Sequence, residues 1–359
     1  MKVIKIVDEA KKSIGICNSC RYCEGFCPVF PAMEKRLEFN TGDIHYLANL
    51  CHNCSECFYA CQFAPPHEFQ VNIPQQLAKV RGDTYLEYAW PAPLSRIFYK
   101  NGLIASLVFL LALIALFFGV SNLDTQELNG NFYHIFPHNF LVTVFGLSFI
   151  WVIICLFLGF NHFLKDIGES FHSLFKPKYL KQALSEALTL KHLHGNVKSG
   201  CTYPDDNISP WRRRFHHFTF YGFMLCFLAT AAGTVMHYVF NLPAPYPVFS
   251  LPKLSGITGG ISLAIGTMGL FVLKLKSDTN TKDIRQMGMD YAFIIHLFLA
   301  AVTGLLLMIF RETNALASLL VIHLSVILSL FITMPFGKFV HGFYRLGALL
   351  KYAKESQEH

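Results

Sequence analysis

Near the start of the chain one cysteine spacing occurs twice: Cys17, Cys20, Cys23 and Cys27, then Cys51, Cys54, Cys57 and Cys61. Each copy reads C-x2-C-x2-C-x3-C, and Pro28 follows the first. Three thiols two residues apart wrap a turn of backbone around three corners of a [4Fe-4S] cube. The fourth is carried too far round to join them and ligates the other cube. The spacing therefore predicts two [4Fe-4S] clusters with crossed ligation: Cys17, Cys20, Cys23 and Cys61 on the first, Cys51, Cys54, Cys57 and Cys27 on the second. This pins two segments, separated by a spacer of 23 residues, into one folded unit. Zinc is better served by separated C-x2-C pairs. A disulfide framework fits poorly with cysteines this close in a chain with no secretory signal peptide.

Hydrophobic residues make up 53% of the 359 and charged ones only 15%, too apolar a balance for a soluble domain. The excess begins after the first hundred residues. The chain thus divides into a water-facing head, 1–98, a membrane body, 99–345, and a short tail, 346–359. Six stretches reach the roughly 17 to 25 residues that a membrane-crossing helix needs: 103–120, 140–160, 218–240, 256–275, 291–310 and 315–336. The fourth is the weakest, being rich in glycine and ending in Lys274 and Lys276.

Lysine and arginine set the orientation. With the head inside, the inner segments include 161–216, where nine basic residues fall between Lys165 and Arg214, then Lys282 and Arg285, then Lys338, Arg345, Lys351 and Lys354. The opposite loops carry only Lys253 and Arg311. Both termini are expected in the cytoplasm, and the net charge of +7 follows from topology without a nucleic-acid partner. Within the head, Thr41-Gly42-Asp43 ahead of Ile44, Tyr46, Leu47 and Leu50 predicts a capped helix leading into Cys51. In the long inner segment, Pro177 suits a first helical position. Leu180, Leu184, Ala187 and Leu188 follow on one face, and Gly195 stops the helix. Such a helix lies on the membrane surface or packs beneath the head.

Ionisable residues at membrane depth are costly and usually functional. The last four apolar stretches contain no Asp or Glu, which argues against a carboxylate proton relay. They do contain His237, His296 and His323, and His216 and His217 stand at the inner start of the third. Neutral imidazoles on facing helices hold b-type haem. At 1.5 Å per residue His296 lies about 9 Å below the inner boundary. Depth then matches His216 or His217 with His296, and His237 with His323. Helical periodicity brings His216 to within about 60° of His237 and turns His217 away. His162 and His341, at inner helix ends, read as interfacial residues, although either is a substitute for a member of the inner pair. Arg212, Arg213 and Arg214 sit where propionates of an inner haem, or lipid phosphates, emerge. Cys155 and Cys226 read as packing residues and Cys201 as a loop thiol. The expected fold is mostly α: a two-cluster α-helical ferredoxin-like head followed by a six-helix transmembrane cytochrome b-like bundle with one or two haems.

Three segments carry a resemblance: Cys20-Arg21-Tyr22-Cys23-Glu24-Gly25-Phe26-Cys27-Pro28-Val29-Phe30-Pro31-Ala32; Cys61-Gln62-Phe63-Ala64-Pro65-Pro66-His67-Glu68-Phe69 with Val71-Asn72-Ile73-Pro74; and Arg212-Arg213-Arg214-Phe215-His216-His217. Together with Pro243-Ala244-Pro245-Tyr246-Pro247 they resemble the tricarballylate-utilisation protein B family, also called CitB-type, along nearly the whole chain. The resemblance implies a multi-pass protein of the bacterial inner membrane that carries two [4Fe-4S] clusters and haem b. It also implies that this protein reoxidises a partner FAD-dependent dehydrogenase converting tricarballylate to cis-aconitate, and delivers the electrons to membrane quinone. No Gly-rich dinucleotide fingerprint follows a strand in the head, so substrate dehydrogenation is expected of the partner. Two other readings use the same residues. In one, a quinol-oxidising subunit feeds a cytoplasmic reductase. In the other, a transporter with a redox-sensing head binds its substrate at broken helices.

Overall fold

The computed structural model describes residues 2–121, 132–193 and 201–358; Gly195, the expected helix stop, lies outside them. The described residues are helical, with no strand. The head comprises α1 (Lys2–Cys20), α2 (Val29–Glu34), α3 (Thr41–Leu50), α4 (Glu56–Tyr59) and α5 (Ile73–Tyr88). Two long helices follow, α6 (Ala92–Val120) and α7 (His138–Asp166), then the short α8 (Phe171–Leu174) and α9 (Pro177–Leu188). The rest is α10 (Trp211–Tyr238), α11 (Leu251–Lys276), α12 (Met287–Ile309), α13 (Leu316–Thr333) and α14 (His341–Gln357). α3 is capped by Asn40, one residue before the expected signal: its side chain accepts from the Asp43 N–H, and Asp43 accepts from the Asn40 N–H.

Six helices are long and apolar enough to cross a membrane, and each overlaps one of the expected stretches, none of which runs more than two residues past its helix. Their outward faces are apolar, as at Val108 and Leu147, both more than 60% exposed, and a face of that kind is stable only against lipid. The chain is a multi-pass membrane protein. α6 begins before residue 103 but leaves helical geometry at Asn101 (φ −142°, ψ 46°), so its straight span starts where the apolar run does. α12 begins four residues earlier than expected and takes in Asp290. This carboxylate, buried at the head-side end, pairs with Lys274 and with Lys338, the latter at 3.0 Å.

The glycines of α11 serve packing. A Cβ on Gly222 of α10 would fall 2.5 Å from the Leu263 nitrogen, and one on Gly266 would fall 2.4 Å from the Thr219 nitrogen. The two backbones therefore touch, and α11 runs unbroken. α10 packs against no other helix to a comparable extent.

One core joins the head to the membrane body. It contains Ile14, Phe30 and Leu47 of the head, Phe163 and Leu164 at the end of α7, Tyr179 of α9, and Tyr344, Leu349 and Leu350 of α14. α9 packs on α14 beside the head, burying Tyr179, Ala183 and Glu186. Leu184 and Leu188 of the expected apolar face are instead exposed. α14 is tied down along its length. Arg345 donates to the Leu50 carbonyl at 3.1 Å and Lys351 to that of Ile167 at 2.6 Å, and Glu355 receives Arg36 at 2.5 Å.

A candidate redox centre in the head and membrane body

Cys17 and Cys20 occupy the last turn of α1, one above the other, because residues three apart share a helix face. Arg21, at φ 56°, then turns the chain so that Cys23 comes round beside them. In the second copy Cys51 ends α3 and the loop passes through left-handed Asn53 and Ser55 before α4. Such a backbone on residues other than glycine marks a loop shaped for its contents. Within it the Asn53 N–H donates to the Cys51 sulfur at 3.4 Å.

Cys17, Cys20, Cys23 and Cys61 line one cavity of about 220 Å3, whose wall also includes Cys57, Tyr22 and Phe63. Burial pushes the Cys17 thiol up to about 12, reinforced by Cys61, Cys23 and Cys20. Burial does the same to Cys23, again up to about 12 and reinforced by Cys61 and Cys20. Cys27 is driven well up by burial and then by Cys54 and Cys51. For Cys57 the order is burial, Cys54, Cys27 and Cys51. The thiols thus fall into two neighbourhoods, with Cys61 beside the first triplet and Cys27 beside the second. Among the described residues no three His, Cys, Asp or Glu side chains converge tightly enough for a single metal ion. The first foursome frames a volume rather than a point, as the corners of a cube require. Thiols this reluctant to ionise become thiolates when a metal supplies the compensating charge.

The three arginines at the start of α10 are directed at protein. Arg212 donates to the carbonyls of Asn53 at 2.7 Å and His52 at 2.9 Å, and lies 4.4 Å above the Tyr203 ring. Arg213 donates to the Thr189 carbonyl, and Arg214 covers Trp211. Cys201 is buried against Cys54, Leu193 and Tyr203 beside the second cysteine set. Cys155 is buried in α7, whereas Cys226 of α10 is half-buried.

His296 and His323 each find a polar partner on the other's helix. His296 hydrogen-bonds through Nδ1 to the Ala292 carbonyl at 2.9 Å and through Nε2 to the Ser329 hydroxyl at 3.0 Å. His323 is bonded through Nδ1 to Thr303 at 2.9 Å. Depth sets the height of a ring but not its azimuth, and α12 and α13 turn these two rings toward each other's hydroxyls. His216 instead approaches His341, with ring centroids 6.2 Å apart, while His217 faces Tyr221. His237 stacks on His138 at 4.6 Å, a partner that sequence reasoning missed because His138 lies at a helix start among loop residues. His162 packs against Tyr88. Three histidine ring nitrogens within the membrane spans are buried without a partner: Nδ1 of His216, Nε2 of His217 and Nδ1 of His237. All belong to α10, the helix that stands apart from the bundle on every side but one. Buried imidazole nitrogens left without a partner are a donor set suited to porphyrin iron.

Comparison with known proteins covers both the head and the membrane body. Residues 10–87 match the family described as Citrate utilization protein B Fer4-like domain, and residues 94–359 that described as Citrate utilization protein B. The chain is 46% identical over 353 residues to the Citrate utilization protein B of Escherichia coli, covering 97% of this chain and 92% of that protein. No solved structure matches it. A Fer4-like head on a six-span helical body, matched from end to end, makes the chain a member of the citrate utilization protein B family.

Proposed function

We propose that the chain is the membrane electron carrier of a citrate- or tricarballylate-utilising system. It would take electrons from a partner FAD-dependent dehydrogenase, of the tricarballylate-to-cis-aconitate kind, and pass them to membrane quinone. Two [4Fe-4S] clusters and haem b, when bound, supply the one-electron steps that link a flavin to a quinone. Cys17, Cys20, Cys23 and Cys61 hold the first cluster, and Cys27, Cys51, Cys54 and Cys57 hold the second. The exchange of Cys27 and Cys61 between segments keeps the two close. Histidine from α10 supplies ligation to the haem.

A gradient of burial supports the order of the centres. In the first set Cys20 is exposed and the neighbouring Tyr22 is 69% exposed, so that edge is open to a soluble flavoprotein. The second set lies deeper, and its loop is bonded by Arg212 to the helix with unpaired imidazoles. This last contact carries the reading, because it makes the route from water to lipid continuous. The test is to purify the protein from membranes with its flavoprotein and add tricarballylate. Bleaching of the iron–sulfur absorption together with reduction of the haem is expected. Absence of both would overturn the proposed direction.

A further inference from the structure

We infer that haem b is held at the head-side end of the membrane body by His216 of α10 and His341 of α14; the inference rests on the electron-carrier reading above. The ring centroids are 6.2 Å apart. Two imidazoles on opposite sides of one metal, each bonded at about 2 Å through a ring nitrogen, have centroids about 6 Å apart. The spacing is the one that two imidazoles sharing an iron require, and the hydrogen bonding of the two rings argues for that role over simple ring packing.

The hydrogen bonds distinguish these rings from that of His296. His341 Nδ1 lies 2.5 Å from the Lys338 carbonyl, which only accepts, so Nδ1 carries the proton and Nε2 is left as the ligand atom. Metal-bound histidines are typically fixed in this way, the second ring nitrogen donating to a backbone carbonyl. The Nδ1 of His216 is buried without a partner, which coordination would explain. His296 has both ring nitrogens occupied. Arg212 and Arg345 act electrostatically on the His216 ring, and Lys338 and Arg345 on that of His341, Lys338 being itself paired with Asp290. His216 also lies one helical turn beyond Arg212, which grips the His52 and Asn53 carbonyls. Iron here would be the membrane redox centre next to the second cysteine set.

The test compares the full-length wild type with His216→Ala, His341→Ala, His341→Met and His296→Ala, all extracted from membranes. Haem is measured as the pyridine haemochrome, alongside iron and acid-labile sulfide. The expected result is loss of one haem equivalent in His216→Ala and His341→Ala with sulfide unchanged. His341→Met is expected to keep haem with an altered spectrum and a raised midpoint potential, as methionine ligation does. Unchanged haem in both alanine variants, or loss confined to His296→Ala, overturns the pair. If the alanine variants lose sulfide as well, His341→Met decides: an unchanged spectrum and potential overturns the assignment. A wild type without haem would overturn the haem part of the electron-carrier reading itself, a different outcome from haem that survives removal of these two rings.

Discussion

Arg212 shows how one side chain joins the two halves of the molecule. Its two donors meet carbonyls of the second cysteine loop, and its face covers Tyr203. Hydrogen bonds made by a charged group contribute about 1.5 to 3 kcal/mol each, so Arg212→Ala is expected to loosen the 51–54 loop. The readout is iron and sulfide per protein, which should fall toward half as the second cluster is lost. Arg212→Lys should recover little, because an ammonium is a point charge and cannot span two carbonyls as the planar fork does. The gathering of the cysteines was legible because it is written in local spacing. The partners of Arg212 were not, since they lie about 160 positions away and a basic residue at a helix start suits a phosphate equally well. His341 was legible only as a substitute for the inner pair, because its orientation is set by a carbonyl in the preceding turn and its neighbour by α10.

Elements that looked ordinary in sequence do much to position the centre. α14 follows the last span and reads as a charged tail, yet it supplies Tyr344, Ala348, Leu349, Leu350 and Ala353 to the head core. A chain ending at residue 340 should therefore insert its six spans but hold no stable head. The measurement is rapid proteolysis of residues 1–90 with loss of sulfide, while the membrane body stays protected. The spans themselves were legible to within a few residues on the lipid side, where hydropathy changes sharply. They were less so toward the head, where α12 continues back to take in Asp290 because Lys274 and Lys338 neutralise it. Gly222 and Gly266 permit backbone contact between α10 and α11. Valine at either site forces the pair apart, and overpacking of this kind costs about 1 to 3 kcal/mol. Thermal unfolding in detergent should shift down accordingly. Haem content should fall as well if α10 carries the ligands.

At the scale of the whole molecule, the charge distribution and the position of the head make one prediction together. Among the described residues, the basic segments 161–193, 201–216, 282–285 and 338–354 lie at the end of the bundle that bears the cysteines. The far end shows Lys253 and Arg311 as its basic residues. Lys and Arg near span ends are retained on the cytoplasmic side, so the head, α9 and α14 should face the cytoplasm, where a soluble flavoprotein would meet Cys20. A fluorescent protein fused after residue 359 should fold and fluoresce. Alkaline phosphatase, active only after export, should be inactive at that position and active when inserted at Pro247 between α10 and α11. The converse pattern would place the cysteine-bearing head outside the cell membrane's inner face, and electrons would then have to come from a donor on the other side.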